Sequence, residues 1–374
     1  MNIAINSDKI NKNSKISFLI IRLSSIGDIV LSTPIIKAIK EQYPESIIHF
    51  AVNKQFSKII ENHPQIDKLI LYNRLINKNE NNLNKLHINE NNIKYDYVID
   101  LQKNRRSKIF RKGVGKKYFE IDKRRLYKIL LVLCKKPISE PIHCTDNYLN
   151  CINELLPKQI ISNNFSNQYV NVDEKIDISN PLLTLNTLSA NLKANELTQI
   201  ESALSNFNQI KKTIIIAPGA AHFTKRFPTS KFIEIINSIN DCNIVLIGGK
   251  SDKEISKSLE INSNKKIINL TGYLELHQTA KIISQSNLIL CNDSGVMHIA
   301  SALKIPIIAL FGSSVKALGF TPISKDFTIF ENNNIKCRPC SHIGRENCPK
   351  KNFMCMNDID NNSIVSKINK ALNT

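Results

Sequence analysis

The sequence predicts an α/β protein made of two Rossmann-like, doubly wound domains that face each other across a cleft. In both halves of the chain, apolar β-branched runs alternate with stretches of helical spacing. That alternation is typical of parallel sheets covered by helices on both faces. At 374 residues the chain is also too long for one domain of ordinary size. We therefore expect a ligand site between the halves, at the carboxyl ends of the strands.

The first half begins with an apolar run at residues 16–23, followed by a short loop and by apolar residues at helical spacing. Further strands are predicted at 47–52, 68–72 and 95–101. From 156 to 195 the sequence turns polar and rich in Asn and Ser, apart from a strand-like piece at 169–172. We place the connection between the domains in this stretch.

The second half repeats the pattern. Its predicted strands are 213–217, 243–247, 266–270, 287–291 and 306–310, and its predicted helices are 229–239, 251–260, 274–284 and 294–303. Beyond residue 311 a loop-rich, Cys-bearing segment precedes a final helix at 361–372. The predicted units are an N-terminal domain over 1–180, a C-terminal domain over 181–358 with a Cys-rich loop at 337–355, and a terminal helix over 359–374.

The composition, with 42% hydrophobic and 22% charged residues, is that of a globular protein. A formal net charge of +19 favours anionic partners such as nucleic acid, anionic lipid or phosphorylated glycolipid. A general bias toward Lys, Asn and Ile explains part of that excess. No run reaches the roughly 18 apolar residues of a membrane span, and residues 1–15 are polar rather than a signal peptide. We expect a cytoplasmic protein.

Loops that follow strands carry the candidate chemistry, because function in open α/β sheets concentrates there. The first such loop is segment 24–28, SSIGD. Gly27 permits a tight turn, and Asp28 lies at the helix start, where its carboxylate would project toward the cleft. Two interpretations stay open for Asp28: a general base that takes a proton from an acceptor hydroxyl, and an N-terminal helix cap.

The second loop, 218–228 with the sequence PGAAHFTKRFP, suits a pyrophosphate. Gly219 follows a buried strand, while Thr224 and Lys225 add a hydroxyl and a cation before the next helix. Backbone amides and a Lys side chain are common phosphate ligands. The alternative is an ordinary basic surface loop. The chain has no P-loop and no G-x-G-x-x-G, so neither an ATPase nor a nicotinamide enzyme is favoured.

The third loop, 292–298 with the sequence NDSGVMH, opens a helix. Ser294 and Gly295 would present unpaired amides to a phosphate, and the helix dipole would strengthen that anion site. Asp293 would repel a phosphate, so we expect it to accept hydrogen bonds from sugar hydroxyls. His298, one turn further, has two interpretations, facing the cleft or packing in the core. In the segment after strand 243–247, Glu254 is the predicted contact to ribose hydroxyls.

A tract rich in Lys and Arg extends from 103 to 125. Arg105 and Arg106 are its predicted contacts to a phosphorylated or carboxylated acceptor, although such a run is also typical of a solvated surface. Residues 126–134 are apolar and bracketed by cations. That composition suits docking on an anionic membrane, and it equally suits a buried helix with solvated ends.

Four of the nine cysteines form the pattern C-x2-C-x7-C-x6-C. They are Cys337, Cys340, Cys348 and Cys355. In a cytoplasmic protein, thiols this close predict a tetrahedral site, and zinc is the first metal to consider. Four thiolates would leave no open coordination position, so such a zinc would be structural. An iron–sulfur cluster, a redox-sensitive disulfide pair and thiols that only pack are the alternatives.

With these motifs, the chain resembles glycosyltransferase family 9, the ADP-heptose:lipopolysaccharide heptosyltransferases. The resemblance rests on the SSIGD loop, on the strand end at 100–102 (DLQ), on the loop that contains Lys225 and, most specifically, on segment 292–298. It extends over roughly residues 16–310. An Asn-rich insertion at 73–92 lies outside the family pattern, and the Cys-rich segment resembles some members only.

The resemblance implies a GT-B fold with an N-terminal acceptor domain, a C-terminal ADP-sugar domain, and an inverting transfer that requires no metal cofactor. Asp28 would activate the acceptor hydroxyl. The implied donor contacts are Thr224, Lys225, Asp293, Ser294 and Gly295. The implied acceptor is a lipid A–core glycolipid, reached by peripheral association with the cytoplasmic face of the inner membrane.

Other functions remain open at this point. They are a family member that uses another nucleotide sugar or glycan, a non-catalytic protein that binds nucleotide sugars, and a nucleic-acid-binding protein with the Cys cluster as a zinc module. Asp28 argues against the non-catalytic protein. The absence of Trp, and the position of the basic tract in the half without the clustered cysteines, argue against nucleic-acid binding.

Overall fold

The computed structural model describes residues 15–72, 94–189, 192–205 and 207–373. The polar N-terminal segment up to residue 14 and the Asn-rich insertion at 73–92 lie outside these ranges. None of the helices in the described ranges is both long and apolar enough to cross a bilayer.

The first half forms a five-stranded parallel sheet. Its strands are β1 (Ser17–Ile21), β2 (Ile47–Asn53), β3 (Lys68–Tyr72), β4 (Tyr95–Asp100) and β5 (Gly115–Glu120). The strand order is β3-β2-β1-β4-β5, and every neighbouring pair is parallel. Phe18 to Ile21 of the central strand β1 have no solvent exposure, which explains why this strand is a continuous apolar run.

In the described part of this half, six α-helices accompany the sheet. They are α1 (Ile26–Ser32), α2 (Pro34–Gln42), α3 (Arg105–Phe110), α4 (Arg125–Cys134), α5 (Cys144–Asn150) and α6 (Lys158–Asn164). The four predicted strands are confirmed within two residues at each end, whereas β5 was not predicted. It is an edge strand whose Lys116 and Lys117 are exposed. Its sequence is therefore hard to distinguish from the rest of the basic tract.

The strand-like piece at 169–172 is not a strand, so this prediction was wrong. Its backbone amides bind elsewhere: the N–H of Tyr169 donates to the Thr33 hydroxyl at 2.9 Å, and that of Asn171 to the carbonyl of Ile59 at 2.8 Å. With these partners the segment packs beside the first sheet without joining it. The polar stretch that contains it is also more ordered than a simple linker, since Ile176 and Ile178 are buried in the core.

The second half forms a six-stranded parallel sheet. Its strands are β6 (Thr213–Ala217), β7 (Asn243–Leu246), β8 (Ile267–Asn269), β9 (Leu288–Asn292), β10 (Ile307–Phe311) and β11 (Phe327–Glu331). The order is β11-β10-β9-β6-β7-β8. The five predicted strands are confirmed within one residue at each end. The edge strand β11 was not predicted, because none of its residues is fully buried and it lacks the apolar run of the inner strands.

Among its described residues, the second half also contains eight α-helices. They are α7 (Pro181–Ser189), α8 (Ala194–Leu204), α9 (Thr229–Ser238), α10 (Lys253–Asn262), α11 (Leu276–Ser284), α12 (Gly295–Ala302), α13 (Met354–Asn357) and α14 (Asn361–Asn373). The five helices predicted here are confirmed within two residues at each end. The terminal helix α14 packs through Ile364, Ile368 and Leu372 against the second sheet's core.

The two halves meet where α1 faces α12. A Cβ atom added at Gly295 would lie 2.9 Å from the Cβ of Ile26 and 3.3 Å from the backbone nitrogen of Gly27. A Cβ atom added at Gly27 would lie 2.5 Å from Cδ2 of His298. Both helices follow a central strand of their own sheet, so this contact brings the carboxyl ends of the two sheets together.

Gly27→Ala is expected to lower the free energy of unfolding by about 1–3 kcal/mol, because the added methyl group overlaps the buried His298 ring. The measurement is urea unfolding. Gly249→Ala is the matched control, since a Cβ atom there meets its nearest neighbour at 3.8 Å, an ordinary contact. Equal stability of the two variants would contradict the close packing of α1 on α12.

Candidate functional site

The carboxylate of Asp28 is surrounded by hydrogen-bond donors. Its Oδ1 lies 2.6 Å from Nη2 of Arg22 and accepts a hydrogen bond from the Tyr148 hydroxyl at 2.9 Å. Its Oδ2 accepts from the hydroxyl of Ser25 at 2.7 Å and from the Ser25 amide at 3.1 Å. The side chain is only 18% exposed. Ser25 is the N-cap of α1, so Asp28 closes a capping box and is not itself the cap.

These contacts fix the charge of Asp28. Burial acts to raise the pKa of this carboxyl, but the Arg22 cation and the hydrogen bonds from Ser25 and Tyr148 outweigh it and hold the pKa at about 2. The group is therefore ionised at neutral pH. Because its four lone-pair positions are occupied, Asp28 can accept a further hydrogen bond only by releasing one of its present donors.

The DLQ strand end holds the SSIGD loop in place. Oε1 of Gln102 accepts from the backbone amides of Leu23 at 3.0 Å and Ser24 at 3.2 Å. Asp100 is fully buried, and its carboxylate accepts from the Gln102 amide at 3.0 Å and the Ser107 hydroxyl at 2.8 Å. These two side chains therefore position the loop that carries Asp28.

On the other half, Lys225 pairs with Asp293. The distance from Lys225 Nζ to Asp293 Oδ2 is 2.8 Å, and the side chains are only 18% and 7% exposed. Asn292, which is fully buried, accepts from the Phe227 amide at 3.1 Å and donates to the Pro218 carbonyl at 2.7 Å. Asn292 therefore fixes the 218–228 loop beside the end of β9, a role that sequence reasoning missed.

The N-terminus of α12 offers unsatisfied donors beside this ion pair. Ser294 is its N-cap, and among the residues that the structure describes its buried Oγ has no hydrogen-bond partner. The first-turn amides of an α-helix also lack intrahelical acceptors. The predicted residues Asp293, Ser294 and Gly295 therefore lie together with Lys225 in an arrangement suited to an anion.

His298 is buried between the two halves. Burial lowers its pKa to about 4, and the nearby charges that act on it include Asp293 and Lys225 from the second half and Asp28 from the first. Its ring is neutral at physiological pH, and within the described residues its Nδ1 has no hydrogen-bond partner. The sequence leaves open whether His298 faces the cleft or packs in the core. The side chain is packed, and it is packed where the loop after β1 meets the loop after β9.

Thr224 does not face this site. It is 1% exposed, and its hydroxyl accepts from the backbone amide of Arg345 at 2.8 Å. Its predicted contact with a donor phosphate is therefore corrected to a structural role, because the hydroxyl is committed to the Cys-rich loop. The sequence around Thr224 does not indicate this partner, because Arg345 lies 121 residues further along the chain.

Beside the 218–228 loop the structure places Asp252, whereas Glu254 is exposed to solvent in the first turn of α10. A Cβ atom added at Gly219 would lie 2.4 Å from Cγ of Asp252. The same carboxylate accepts from the Gly249 amide at 2.9 Å. Asp252 therefore lies against the predicted diphosphate loop at Gly219, and the two-residue offset from Glu254 follows from a single 3₁₀ turn that precedes α10.

The basic tract forms an open depression of about 410 Å³ near α3. Arg105 lines it, whereas Arg106, also exposed on α3, does not. Its other lining residues are Lys103, Asn104, Lys108, Ile109, Lys112 and Arg125. Burial lowers the pKa of neighbouring Lys123, and the charges of Arg125 and Arg22 lower it further.

The four clustered thiols lie near one another without forming a metal-binding group. Burial, followed by the charges of the other three thiols, raises the pKa of Cys355 to about 12, against a lowering effect of Arg338. Within residues 15–72, 94–189, 192–205 and 207–373, no three His, Cys, Asp or Glu side chains are arranged to hold a metal ion. The zinc site remains a prediction that this thiol geometry does not support.

Two doubly wound parallel sheets, joined where their strand-end loops face each other, define the GT-B class of glycosyltransferases. Residues 166–351 match the model of glycosyltransferase family 9 (heptosyltransferase). The chain thus contains a family 9 domain and is a transferase.

Relatives and solved structures agree with this assignment. Lipopolysaccharide heptosyltransferase 1 of Campylobacter coli is 26% identical over 321 residues, which are 79% of this chain and 83% of the relative. A family 9 glycosyltransferase from Veillonella parvula has a TM-score of 0.70 at 21% identity, over 95% of this chain and 97% of that one. For ADP-heptose lipopolysaccharide heptosyltransferase II of Escherichia coli the TM-score is 0.66 at 18% identity, over 96% and 98%.

Replacing His298 should weaken the acid sensitivity of the fold. Its pKa is about 4 in the folded protein and ordinarily 6.5, so between these values the unfolded chain binds more protons and stability falls as the pH falls. From about pH 7 to about pH 5 this group removes about 2 kcal/mol from the free energy of unfolding. His298→Met should lose that component in urea titrations at the two pH values. An unchanged pH dependence would contradict a neutral, buried His298.

The zinc hypothesis predicts about one equivalent of metal per chain in purified protein, and its loss in Cys337→Ser and Cys340→Ser. Elemental analysis for zinc and iron measures this. Cys242→Ser, a half-buried cysteine outside the cluster, is the control. A metal-free wild-type protein would end the hypothesis.

Proposed function

We propose that this protein transfers a heptose from ADP-heptose to an inner-core acceptor of lipopolysaccharide, with inversion at the anomeric carbon and without a metal ion. The observation that carries the proposal is that a candidate base and a candidate anion site lie at the junction of the two halves, one on each half. An ionised carboxylate, Asp28, lies on the first half, and an anion site made of Lys225 and the start of α12 lies on the second. The heptose and the lipopolysaccharide acceptor are taken from the names of the relatives.

The anion site supports a diphosphate donor. Lys225 would turn from Asp293 to the phosphates, and the Ser294 hydroxyl and the first amides of α12 would donate to the same oxygens. Asp293, freed from its ion pair, would accept hydrogen bonds from the sugar hydroxyls. Asp252 lies on the other side of Gly219, where a carboxylate would meet the ribose hydroxyls.

Asp28 would act on the acceptor. The acceptor hydroxyl oxygen forms a bond to the anomeric carbon while the bond from that carbon to the ADP oxygen breaks, and the hydroxyl proton passes to Asp28. A single displacement inverts the anomeric configuration. Because the pKa of Asp28 is about 2, it is a weak base until a donor such as the Ser25 hydroxyl is released. We infer that acceptor binding displaces this hydrogen bond, which raises the basicity of Asp28.

The same arrangement would remove the need for a divalent cation. Negative charge develops on the departing ADP, and a preorganised Lys with helix-terminal amides stabilises such charge in a site that excludes water. On the acceptor side, the depression lined by Arg105 would receive anionic groups of a lipid A–core glycolipid. We place the reaction at the cytoplasmic face of the inner membrane, where the protein would associate peripherally.

Asp28→Asn is expected to reduce the transfer rate by about 10²- to 10⁴-fold, the effect of removing a positioned base, while the affinity for ADP stays nearly unchanged. Lys225→Met should instead weaken ADP binding. Product formation by mass spectrometry and ADP titration calorimetry measure the two effects, with EDTA present throughout. Offering ADP-heptose beside other nucleotide sugars identifies the donor.

The control is Asp146→Asn, which changes a half-buried carboxylate on the neighbouring helix α5. Its transfer rate should equal that of the wild type, and thermal unfolding shows whether each variant is folded. Equal losses of ADP affinity and transfer in Asp28→Asn would overturn the assignment of the base. Loss of wild-type activity in EDTA would overturn metal independence.

A further inference from the structure

Helix α4 has two apolar faces, and only one of them is covered. Tyr127 and Leu131 are buried, and they pack against Leu318 of the second half. Leu126 is 69% exposed, Ile129 52% and Leu133 69%. Their spacing of three and four residues places these three side chains on one face of the helix. A row of large apolar side chains at this exposure is typical of a surface with a partner.

The apolar surface continues beyond the helix. Every residue from 133 to 142 is exposed, and Ile138 and Ile142 are among them. This segment returns to the body of the protein at α5, where His143 is the N-cap.

Cations surround the exposed face. Residues 103–136 contain 14 Lys and Arg but only two acidic residues. Five of these cations belong to the helix and its ends: Arg124, Arg125, Lys128, Lys135 and Lys136. None of the five forms an ion pair with a carboxylate in the part of the chain that the structure describes. Arg124 lies over the Tyr127 ring and Lys135 donates to the carbonyl of Pro339, but these neutral partners leave the positive charge uncompensated.

We propose that the exposed face of α4 is a docking surface for an anionic lipid bilayer. Leu126, Ile129 and Leu133 would enter the boundary between headgroups and acyl chains, and the cations at both ends of the helix would lie among the phosphates. A bilayer supplies apolar and anionic contacts over one continuous plane, which matches the distribution of both kinds of side chain. The buried face of α4 anchors the surface to the second half through Leu318.

The surface adjoins the candidate site. Arg125, at the first position of α4, lines the basic depression. Lys128 lines a small crevice together with Cys144 and Asn147 of α5, the helix whose Tyr148 binds Asp28. Docking through α4 would therefore bring the acceptor side of the site to the membrane surface. This last step rests on the proposed function, in which the acceptor carries a lipid, whereas the binding of a bilayer does not.

Vesicle flotation with the full-length protein tests the proposal. The vesicles contain phosphatidylcholine alone or with about one third phosphatidylglycerol. Wild-type protein should bind the anionic vesicles, and added salt should weaken this binding. The variant Leu126→Gln, Ile129→Gln, Leu133→Gln should bind them at least about tenfold more weakly, because the buried apolar area is lost.

The matched control is Ile210→Gln with Ile261→Gln, which alters side chains that are 95% and 67% exposed in the second half. It should bind the vesicles like the wild type, and circular dichroism melting should show all variants folded. Equal binding of the triple variant, or no preference for anionic vesicles, would overturn the proposal. So would a wild-type dimer that the triple variant abolishes while neither protein binds vesicles.

Transfer assays separate this proposal from the proposed function. With a water-soluble acceptor that lacks acyl chains, the triple variant should be as active as the wild type. With the acceptor embedded in vesicles, its rate should fall by at least about tenfold. Absence of transfer to either acceptor by the wild type would refute the heptosyltransferase function and leave the vesicle-binding result standing.

Discussion

The close approach of α1 to α12 is the constraint on which the site depends. Glycine at 27 and at 295 lets the two helix starts touch, and any side chain there would separate them. This contact places the loop after β1 opposite the loop after β9, and it encloses His298 between them. Each half alone has only part of the candidate site, and their junction brings the Asp28 carboxylate close to a helix start with unsatisfied hydrogen-bond donors.

In each half, charged or polar groups of the candidate site are also held in place without a ligand. On the first half, Arg22 and the hydroxyls of Ser25 and Tyr148 keep Asp28 ionised in spite of its burial. On the second, Asn292 ties the predicted diphosphate loop to the strand beside it. Such preorganisation limits the rearrangement that binding requires, which is the condition for strong electrostatic stabilisation of a transition state.

The sequence predicts the inner strands and the three motif loops well, because strands buried on both faces have to be apolar and loops at their ends follow directly. Of the four edge strands it predicts β3 and β8 but not β5 and β11, because β5 contains the exposed lysines of the basic tract and no residue of β11 is fully buried. Side-chain partners distant in sequence were also missed. Thr224 is held by Arg345, and Asp28 is bound by Tyr148 on α5, 120 residues away. Local spacing contains no information about such contacts.

In the proposed donor site, Lys225 and Asp293 form an ion pair with each other before any ligand binds. For the proposed donor, this makes entry an exchange, in which the diphosphate takes the ammonium group and the sugar offers hydroxyls to the released carboxylate. The spent nucleotide can repeat only half of that exchange, because it has lost its sugar. Re-formation of the pair would then compete with the spent nucleotide more strongly than with the intact donor, so the proposed site would favour unused substrate and release the nucleotide product after each turnover.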